Sequence, residues 1–321
     1  MNEIYRVWTG TGQASPLSLT LNTGTLPQPA EDEVLVRNLA IGLNPVDWKL
    51  LDTQAGKAPG VDGAGVVIAV GANITSDWLG ERVTWHQSLK RHGSFATHTP
   101  LSASALMRVP PGLDIVDAAA FPCPALTAWQ ALEKIPSRRK ERLLISGAGG
   151  SVGHWLVQFA RERGFIIDVM CNERHRDRLL ALGAAGWYPG PLADEEPLPE
   201  ALRTRYYAAF DAVSGAHGLQ LSETLSANGH LVTIQDRVER WPNPAFGRAL
   251  SLHEVALGAL HFHGDERDWR QLTRSGERLL DALAQGTFCS ETLLVRDFNS
   301  LPEHLQALKN RSFSGKLVIT L

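Results

Sequence analysis

The sequence predicts an α/β protein in which a strand-rich N-terminal part is followed by a doubly wound parallel sheet. In the first 120 residues, short β-branched runs such as residues 64–70 (AGVVIAV) are bounded by Gly, Pro and Asp, which is typical of strands. From residue 142 onward, short apolar strands alternate with amphipathic helices. This alternation predicts parallel strands joined by right-handed crossovers.

The individual elements follow from local patterns along the chain. Residues 114–133 are predicted as two helical pieces that break around Pro122 and Pro124, because proline interrupts a helix. A helix after residue 150 places Val152, Leu156 and Phe159 on one face. The other predicted helices are residues 174–182 and 268–285, and the predicted strands are residues 34–37, 41–45, 64–70, 143–145, 165–170, 210–213, 230–234 and 316–321.

Length and composition indicate a globular protein of about two domains. The chain has 321 residues, is 44% hydrophobic and carries a formal net charge of -3, which disfavours nucleic acid or an anionic membrane as partner. Its three widely spaced cysteines, Cys123, Cys171 and Cys289, disfavour a disulfide framework. Glu3 and Arg6 interrupt the N-terminal stretch, and no long apolar segment follows. We therefore expect a soluble, cytoplasmic protein that does not span a membrane.

The most informative stretch is residues 143–160 (LLISGAGGSVGHWLVQFA), where a glycine-rich turn separates an apolar strand from a helix. The spacing of Gly147, Gly150 and Gly153 permits a tight turn, close approach of the backbone to a pyrophosphate, and packing of the helix on the strand. Ser151 and Val152 open the helix, whose N–H groups are suited to phosphate. A glycine turn without ligand is the alternative, and the flanking strand and helix favour a dinucleotide cofactor.

Residues about 20 positions further along favour NADP over NAD. An acidic residue at the end of the second strand would bind the ribose hydroxyls of NAD. This chain has Asn172 there, followed by Arg174 and Arg176. Guanidinium groups match phosphate oxygens, so these three residues are predicted to bind the 2′-phosphate of NADPH. The alternative is that the arginines are only the solvated face of the next helix.

Several separated motifs occur in an order that is characteristic of a known family. They are GLNPVDWKL (42–50), PGVDGAGVVIAVG (59–71), GERV (80–83), HGSFATH (92–98), AAAFPCPALTAWQAL (118–132), GAGGSVG (147–153) and FSGKLVI (313–319). Together they resemble the quinone oxidoreductase branch of the medium-chain dehydrogenase/reductase superfamily, the branch without zinc.

The resemblance implies a fold, a domain order and an activity. Residues 1–123 would form the first part of a mainly β, GroES-like catalytic domain, residues 124–260 a Rossmann NADP-binding domain, and residues 261–321 a return segment that completes the catalytic domain. Members of this branch reduce quinones, enones or other activated double bonds with NADPH, often as homodimers. The resemblance therefore implies a small-molecule carbonyl or quinone substrate and a second copy of the chain as partner.

Zinc-dependent alcohol dehydrogenases of the same superfamily hold their metal with a Cys, the His of a Gly-His-Glu motif and a second Cys. These positions fall here on Asn44, on Gly60-Val61-Asp62 and on Cys123. One thiolate and an offset carboxylate do not make the three-ligand open site of a catalytic zinc. His261 and His263 would share one side of a strand, but without an evident thiolate or carboxylate partner set. We therefore assign no metal ligands and expect no zinc.

Without zinc, the hydride step requires a hydrogen-bond donor beside the oxygen that gains negative charge. Asn44 is the first candidate, and the alternative is that it only completes the turn before Pro45. Thr127 matches a family threonine near the nicotinamide and ribose, and otherwise bonds locally in its helix. Lys316 lies in a segment like the family's closing turn, where it would contact a cofactor phosphate. A pocket for a flat substrate would be lined by Trp48, Trp85 and Phe95.

Three functions remain in competition. The leading one is a zinc-independent oxidoreductase that transfers hydride from NADPH to a quinone or an α,β-unsaturated carbonyl. The second is a zinc-dependent alcohol dehydrogenase with atypical ligands. The third is a dinucleotide-binding protein that has lost catalysis and serves as a sensor or structural partner. The acidic, proline-rich stretch at residues 189–200 and the altered Gly-Val-Asp motif leave room for the third.

Overall fold

The chain returns to its first folding unit after completing a second one. The computed structural model describes residues 4–193 and 197–321. The first unit comprises Met1–Cys123 together with Gly258–Leu321, and the second unit comprises Pro124–Leu257. Asp194, Glu195 and Glu196, three of the four acidic residues of the proline-rich stretch, lie outside the described residues.

Strands and helices are named here in chain order. The strands are β1 (Tyr5–Thr9), β2 (Thr20–Gly24), β3 (Glu33–Gly42), β4 (Asp62–Val70), β5 (Arg82–His86), β6 (His98–Ser102), β7 (Leu106–Arg108), β8 (Arg142–Ser146), β9 (Ile166–Cys171), β10 (Gly186–Pro189), β11 (Tyr206–Asp211), β12 (Leu225–Thr233), β13 (Ser251–Glu254), β14 (Leu293–Asp297) and β15 (Lys316–Thr320). The α-helices are α1 (Pro45–Lys49), α2 (Ile115–Ala120), α3 (Pro122–Glu133), α4 (Ser151–Glu162), α5 (Arg176–Leu182), α6 (Gly215–Leu221), α7 (Leu260–His263), α8 (Glu266–Ala284) and α9 (Leu301–Lys309). Within the described ranges, no helix is both long and apolar enough to cross a membrane.

The first unit is built on one sheet of mainly antiparallel strands, in the order β14-β15-β3-β4-β5-β7, with β6 also paired to β3. The two predicted strands at 34–37 and 41–45 are a single strand, β3, which ends at Gly42. A Cβ atom on Gly42 would lie 2.3 Å from the carbonyl oxygen of Ala119, so this glycine lets α2 approach the sheet closely. The sheet buries apolar side chains that include Val34, Val83 and Leu101.

The second unit is a six-stranded parallel sheet in the order β10-β9-β8-β11-β12-β13. This is the strand order of a doubly wound dinucleotide-binding sheet. From β8 the chain adds β9 and β10 on one side of the sheet and then β11, β12 and β13 on the other, so the order of strands reverses between β8 and β11. Ligands of such sheets bind beyond the carboxyl ends of the strands at that switch point. The predicted fold class, a mainly β unit with a doubly wound parallel sheet, is confirmed.

Two local predictions were wrong in detail. The helical region at 114–133 has one break, at Phe121, and Pro124 lies in the first turn of α3, where its missing N–H leaves no hydrogen bond unmade. Residues 260–263 form the short helix α7 rather than a strand. Side chains two positions apart diverge on a helix, so His261 and His263 do not share a side.

Substitution of Gly153 tests how tightly α4 packs on the turn before it. A Cβ atom at this position would lie 2.4 Å from backbone atoms of Ala148. We expect Gly153→Ala to lower the free energy of unfolding by about 1–3 kcal/mol, because backbone must move to make room. Denaturant unfolding without any cofactor measures this. Gly258→Ala is the control, because a Cβ atom there meets nothing within 4 Å; equal stability of the two variants would contradict the packing role.

Candidate active site

A chain of buried polar side chains links the ends of three strands in the first unit. The ammonium of Lys316 donates to Asn44 Oδ1 at 2.5 Å, and Asn44 Nδ2 donates to Asp62 Oδ2 at 2.8 Å. The backbone N–H of Cys123 donates to the same carboxylate oxygen at 2.9 Å. Lys316, Asn44 and Asp62 are each at most 4% exposed. We call these three residues with Asp47 the buried polar cluster.

Asp47 holds the backbone of the cluster in place. Its carboxylate accepts the backbone N–H of Asn44 at 2.7 Å and that of Val61 at 3.0 Å. Asn44 has extended backbone and caps α1, whose first residue is Pro45. The sequence NPVD therefore builds a helix start in which the acid at the third helical position ties the cap residue to the segment before β4.

Burial dominates the ionisation of both carboxyl groups. Loss of solvation raises the pKa of Asp47 to about 7, opposed by the backbone N–H of Asn44, the charge of Lys316 and the backbone N–H of Val61. Loss of solvation likewise raises the pKa of Asp62 to about 7, opposed first by the charge of Lys316. A site with two such carboxyl groups and an ammonium can take up or release a proton near neutral pH.

Two members of the cluster, Asn44 and Asp62, lie at positions matched above to zinc ligands. Within residues 4–193 and 197–321, no group of three or more His, Cys, Asp or Glu side chains is placed to hold a metal ion. Cys123 contributes a backbone hydrogen bond to Asp62, and its side chain is partly buried. The expectation of no zinc stays a prediction.

The glycine turn of the second unit has the features that a pyrophosphate requires. Gly147 has φ +70°, a conformation that favours glycine. Gly150 caps α4 without a side-chain hydrogen bond, and a Cβ atom on Gly150 would meet only the carbonyl of Gly147, at 3.8 Å. The first amides of the helix, those of Ser151 to Gly153, have no intrahelical acceptor. The turn therefore presents open backbone and unpaired donors, which fit the phosphates of a dinucleotide.

Arg178, which the sequence reasoning missed, braces this turn from α5. Its guanidinium donates to the carbonyl of Gly149 at 2.9 Å and lies 2.9 Å from His154 Nδ1. The ring of His175 packs so closely that a Cβ atom on Gly149 would lie 2.3 Å from it. The sequence signal for Arg178 was helical periodicity, because Arg178 lies four positions after Arg174, on the same face of the helix predicted at 174–182.

The three residues predicted to bind a 2′-phosphate lie directly after β9. Asn172 accepts the backbone N–H of Arg174 and caps a short 3₁₀ turn. Arg174 is exposed and donates from Nε to His175. Arg176 pairs with two carboxylates, those of Glu173 at 3.2 Å and Asp177 at 2.9 Å. Arg174 is therefore the better placed of the two arginines to meet an added anion.

A second feature missed by the sequence reasoning lies at the switch point. Asp211, at the carboxyl end of β11, accepts His217 Nδ1–H at 2.7 Å and the backbone N–H of Ser214 at 3.1 Å. His217 Nε2 lies 3.4 Å from the hydroxyl of Ser146, the last residue of β8. All three side chains are buried. The signal was an acidic residue that ends an otherwise apolar strand, YYAAFD.

The remaining predicted site residues belong to different parts of the fold. Thr127 lies in α3 of the second unit and is 9% exposed. Lys316 lies in the buried polar cluster, bonded to Asn44, and its predicted contact with phosphate stays a prediction. The predicted pocket lining is wrong for Trp85 and Phe95, which are fully buried in the apolar core of the first unit; Trp48 is partly buried against that core.

Comparison with known proteins gives matches in both sequence and fold. Residues 30–111 match the family described as alcohol dehydrogenase GroES-like domain. A chloroplastic quinone-oxidoreductase homologue of Spinacia oleracea is 32% identical over 50% of this chain and 53% of its own length. A trans-enoyl reductase of Aspergillus flavipes is 32% identical over 53% of this chain and 54% of its own length. The chain thus spans about half the length of these curated relatives.

The solved structure of the quinone oxidoreductase from Coxiella burnetii superposes with a TM-score of 0.82. The superposition covers 99% of this chain and 100% of that chain at 20% sequence identity. At this identity the likeness establishes the fold of the chain.

The raised pKa of Asp62 predicts how the free energy of unfolding changes with pH. In the unfolded chain its carboxyl loses the proton near the ordinary pKa of 3.8, whereas the folded protein retains it until about pH 7. Between these values the folded state binds more protons, so raising the pH destabilises it. The free energy of unfolding of the wild type minus that of Asp62→Asn should therefore fall by about 4 kcal/mol over this window and stay flat above it.

Denaturant unfolding at a series of pH values measures this difference. Asn at position 62 can still accept from Asn44 and Cys123, and Asp77→Asn, which replaces an exposed carboxylate, controls for the loss of one charge. A difference that rises with pH would show that Asp62 is charged in the folded protein.

Proposed function

We propose, from the resemblance to the quinone oxidoreductase branch of the medium-chain dehydrogenase/reductase superfamily, that the chain is an NADPH-dependent, zinc-independent oxidoreductase that reduces a quinone or an α,β-unsaturated carbonyl. The observation that carries the proposal is the open glycine turn at the switch point of the second unit. The printed names of the relatives, a quinone-oxidoreductase homologue and a trans-enoyl reductase, support the class of acceptor.

The second unit would hold the cofactor. The amides of Ser151 to Gly153 would bind the pyrophosphate, and Arg178 would keep the turn in shape by holding the carbonyl of Gly149. Asn172 and Arg174 would bind the 2′-phosphate, and Thr127 would lie near the nicotinamide and ribose. When bound, NADPH supplies the hydride, so the protein has to orient the acceptor and stabilise charge.

The first unit would stabilise the charge that develops on the acceptor oxygen. Both N–H groups of the Asn44 amide are engaged, with Asp62 Oδ2 and with the carbonyl of Gly42. Lys316 donates to the oxygen of the same amide, which strengthens Asn44 as a donor through charge-assisted hydrogen bonding. We propose that Asn44, backed by Lys316, polarises the acceptor carbonyl by exchanging its longer hydrogen bond, to the carbonyl of Gly42 at 3.2 Å, for one to the acceptor oxygen.

The same cluster supports zinc independence. The ammonium of Lys316 is bonded to the residue at the first ligand position, so the place of a metal cation is next to a buried positive charge. A second cation would have to overcome that repulsion in a site with little solvent screening. We also propose a homodimer, with β13, the last strand in the order of the parallel sheet, as the edge that meets a second copy.

The activity is tested by following NADPH oxidation in the presence of a panel of quinones and enones. We expect turnover with at least one acceptor class and no loss of rate after dialysis against a chelator. Cofactor binding without turnover of any acceptor would favour the sensor or structural alternative. Activity that is lost on chelation and restored by zinc would favour the alcohol dehydrogenase alternative.

Cofactor choice is tested with the two arginines after Asn172. We expect Arg174→Ala to raise the KM for NADPH by about 10–100-fold, with a much smaller effect on NADH, because a charge-assisted hydrogen bond to phosphate is lost. Arg176→Ala is the matched control, since its guanidinium is already paired with two carboxylates. An equal effect of Arg174→Ala on both cofactors would contradict the 2′-phosphate assignment.

A further inference from the structure

The buried polar cluster requires a route for protons, because Asp62 is fully buried. Asp62 Oδ2 accepts two hydrogen bonds, from Asn44 and from Cys123. The other carboxyl oxygen, Oδ1, is buried and has no hydrogen-bond partner among the described residues. A buried polar atom of this kind calls for a functional explanation.

Strand pairing places a histidine opposite this carboxyl group. Asp62 and His86 are direct partners in the antiparallel ladder of β4 and β5. The Cβ atoms of such partners lie about 4.5–5.5 Å apart on the same face of the sheet. No direct hydrogen bond joins the side chains of Asp62 and His86 among the described residues, so a proton would pass between them through a water molecule.

A second histidine continues the path from His86. His86 Nδ1 lies 3.4 Å from His261 Nε2, and the two rings are stacked with their centroids 5.6 Å apart. His261 is supplied by α7 and is partly exposed, with Trp269 packed edge-on against it. His86 itself is buried. The pair thus connects the sheet face that carries Asp62 with the surface of the first unit.

Both imidazoles are neutral at physiological pH. Loss of solvation, reinforced by His261, lowers the pKa of His86 to about 3. Loss of solvation lowers the pKa of His261 to about 4, against the opposing effect of a hydrogen bond with the His86 backbone, and the charge of Arg91 adds to the lowering. A neutral imidazole has one N–H donor and one acceptor nitrogen, which is the arrangement that passes a proton without accumulating charge.

We propose that His261 and His86 form a proton path from solvent to Asp62 and so to the buried polar cluster. His86 releases its Nε2 proton towards the Asp62 carboxylate and takes a proton at Nδ1 from His261 Nε2. His261 takes a proton from water at Nδ1, and ring reorientation resets both residues. Four titratable or charged groups influence His86, His261 or Asp62 electrostatically: His261 from α7, Arg91 after β5, Asp47 from α1 and Lys316 from β15. After one proton has passed, neither histidine has changed its net charge.

The inference deepens the proposed function, since reduction of an enone or quinone consumes a proton as well as a hydride, and it rests on that function only in its second test. The first test needs no cofactor or substrate. Infrared difference spectroscopy after a pH jump across the Asp62 pKa of about 7 follows protonation of this carboxyl, with Asp62→Asn identifying its band.

We expect protonation in His86→Asn and in His261→Phe to be slower by about a hundredfold, with the equilibrium midpoint little changed. His261→Phe changes a partly exposed residue and keeps the test valid should the buried variant fold poorly. The matched control is His253→Asn, which breaks the His230–His253 pair of the second unit, 3.1 Å apart. Wild-type rates in both variants, or the absence of a titrating Asp62 band, would overturn the proposal.

The second test measures turnover of the full chain with NADPH and an active acceptor. We expect the same two variants to lower kcat by about a hundredfold near neutral pH with little change in KM, and external imidazole to restore part of the rate. Unchanged kcat and unchanged pH profiles would count against the path. Absence of wild-type turnover would instead refute the proposed function, and the infrared experiment would still decide the proton path.

Discussion

The hydrogen bond between Lys316 and Asn44 joins residues that are 272 positions apart, and the first unit is organised around it. An ammonium buried at 4% exposure is tolerable only with a polar partner, and Asn44 in turn needs Asp62 and the carbonyl of Gly42 to accept its two amide N–H groups. Lys316 begins β15, Asp62 begins β4, and Asn44 follows the end of β3, so these three strands are constrained in register as well as in order. The hydrogen bonds that the buried polar cluster needs for folding are the same ones that position Asn44 for its proposed role.

The second unit depends on a different constraint, the shape of one backbone turn. Glycines allow the turn to form, but Arg178 stabilises it by a hydrogen bond to the carbonyl of Gly149, and the ring of His175 packs against the same residue. Asp211 accepts a hydrogen bond from the backbone of the neighbouring loop after β11. The side chains that give the turn its rigidity are thus drawn from later elements than the turn itself. Preorganised backbone donors bind anions more strongly because little order has to be gained on binding.

Local patterns predicted the features that depend on neighbours in sequence. The glycine turn, the C-terminal end of α5 at Leu182 and the alternation of strands and helices are encoded within short windows. The Asn44–Lys316 bond and the Asp62–His86 pairing depend on strand register over long separations, which no local pattern reports. Trp85 was misjudged because an aromatic side chain has the same local signature in a pocket wall as in a core.

The return of the chain to its first unit has a consequence for biosynthesis. The second unit is one continuous stretch, Pro124–Leu257, so all of its strands have been translated before β14 and β15 exist. Residues 33–37 of β3 pair with β6, so only the last residues of β3, Ala40 to Gly42, lack the partner that β15 later supplies while the second unit is completed. Until β15 is synthesised, this short edge is open to pairing with a wrong strand.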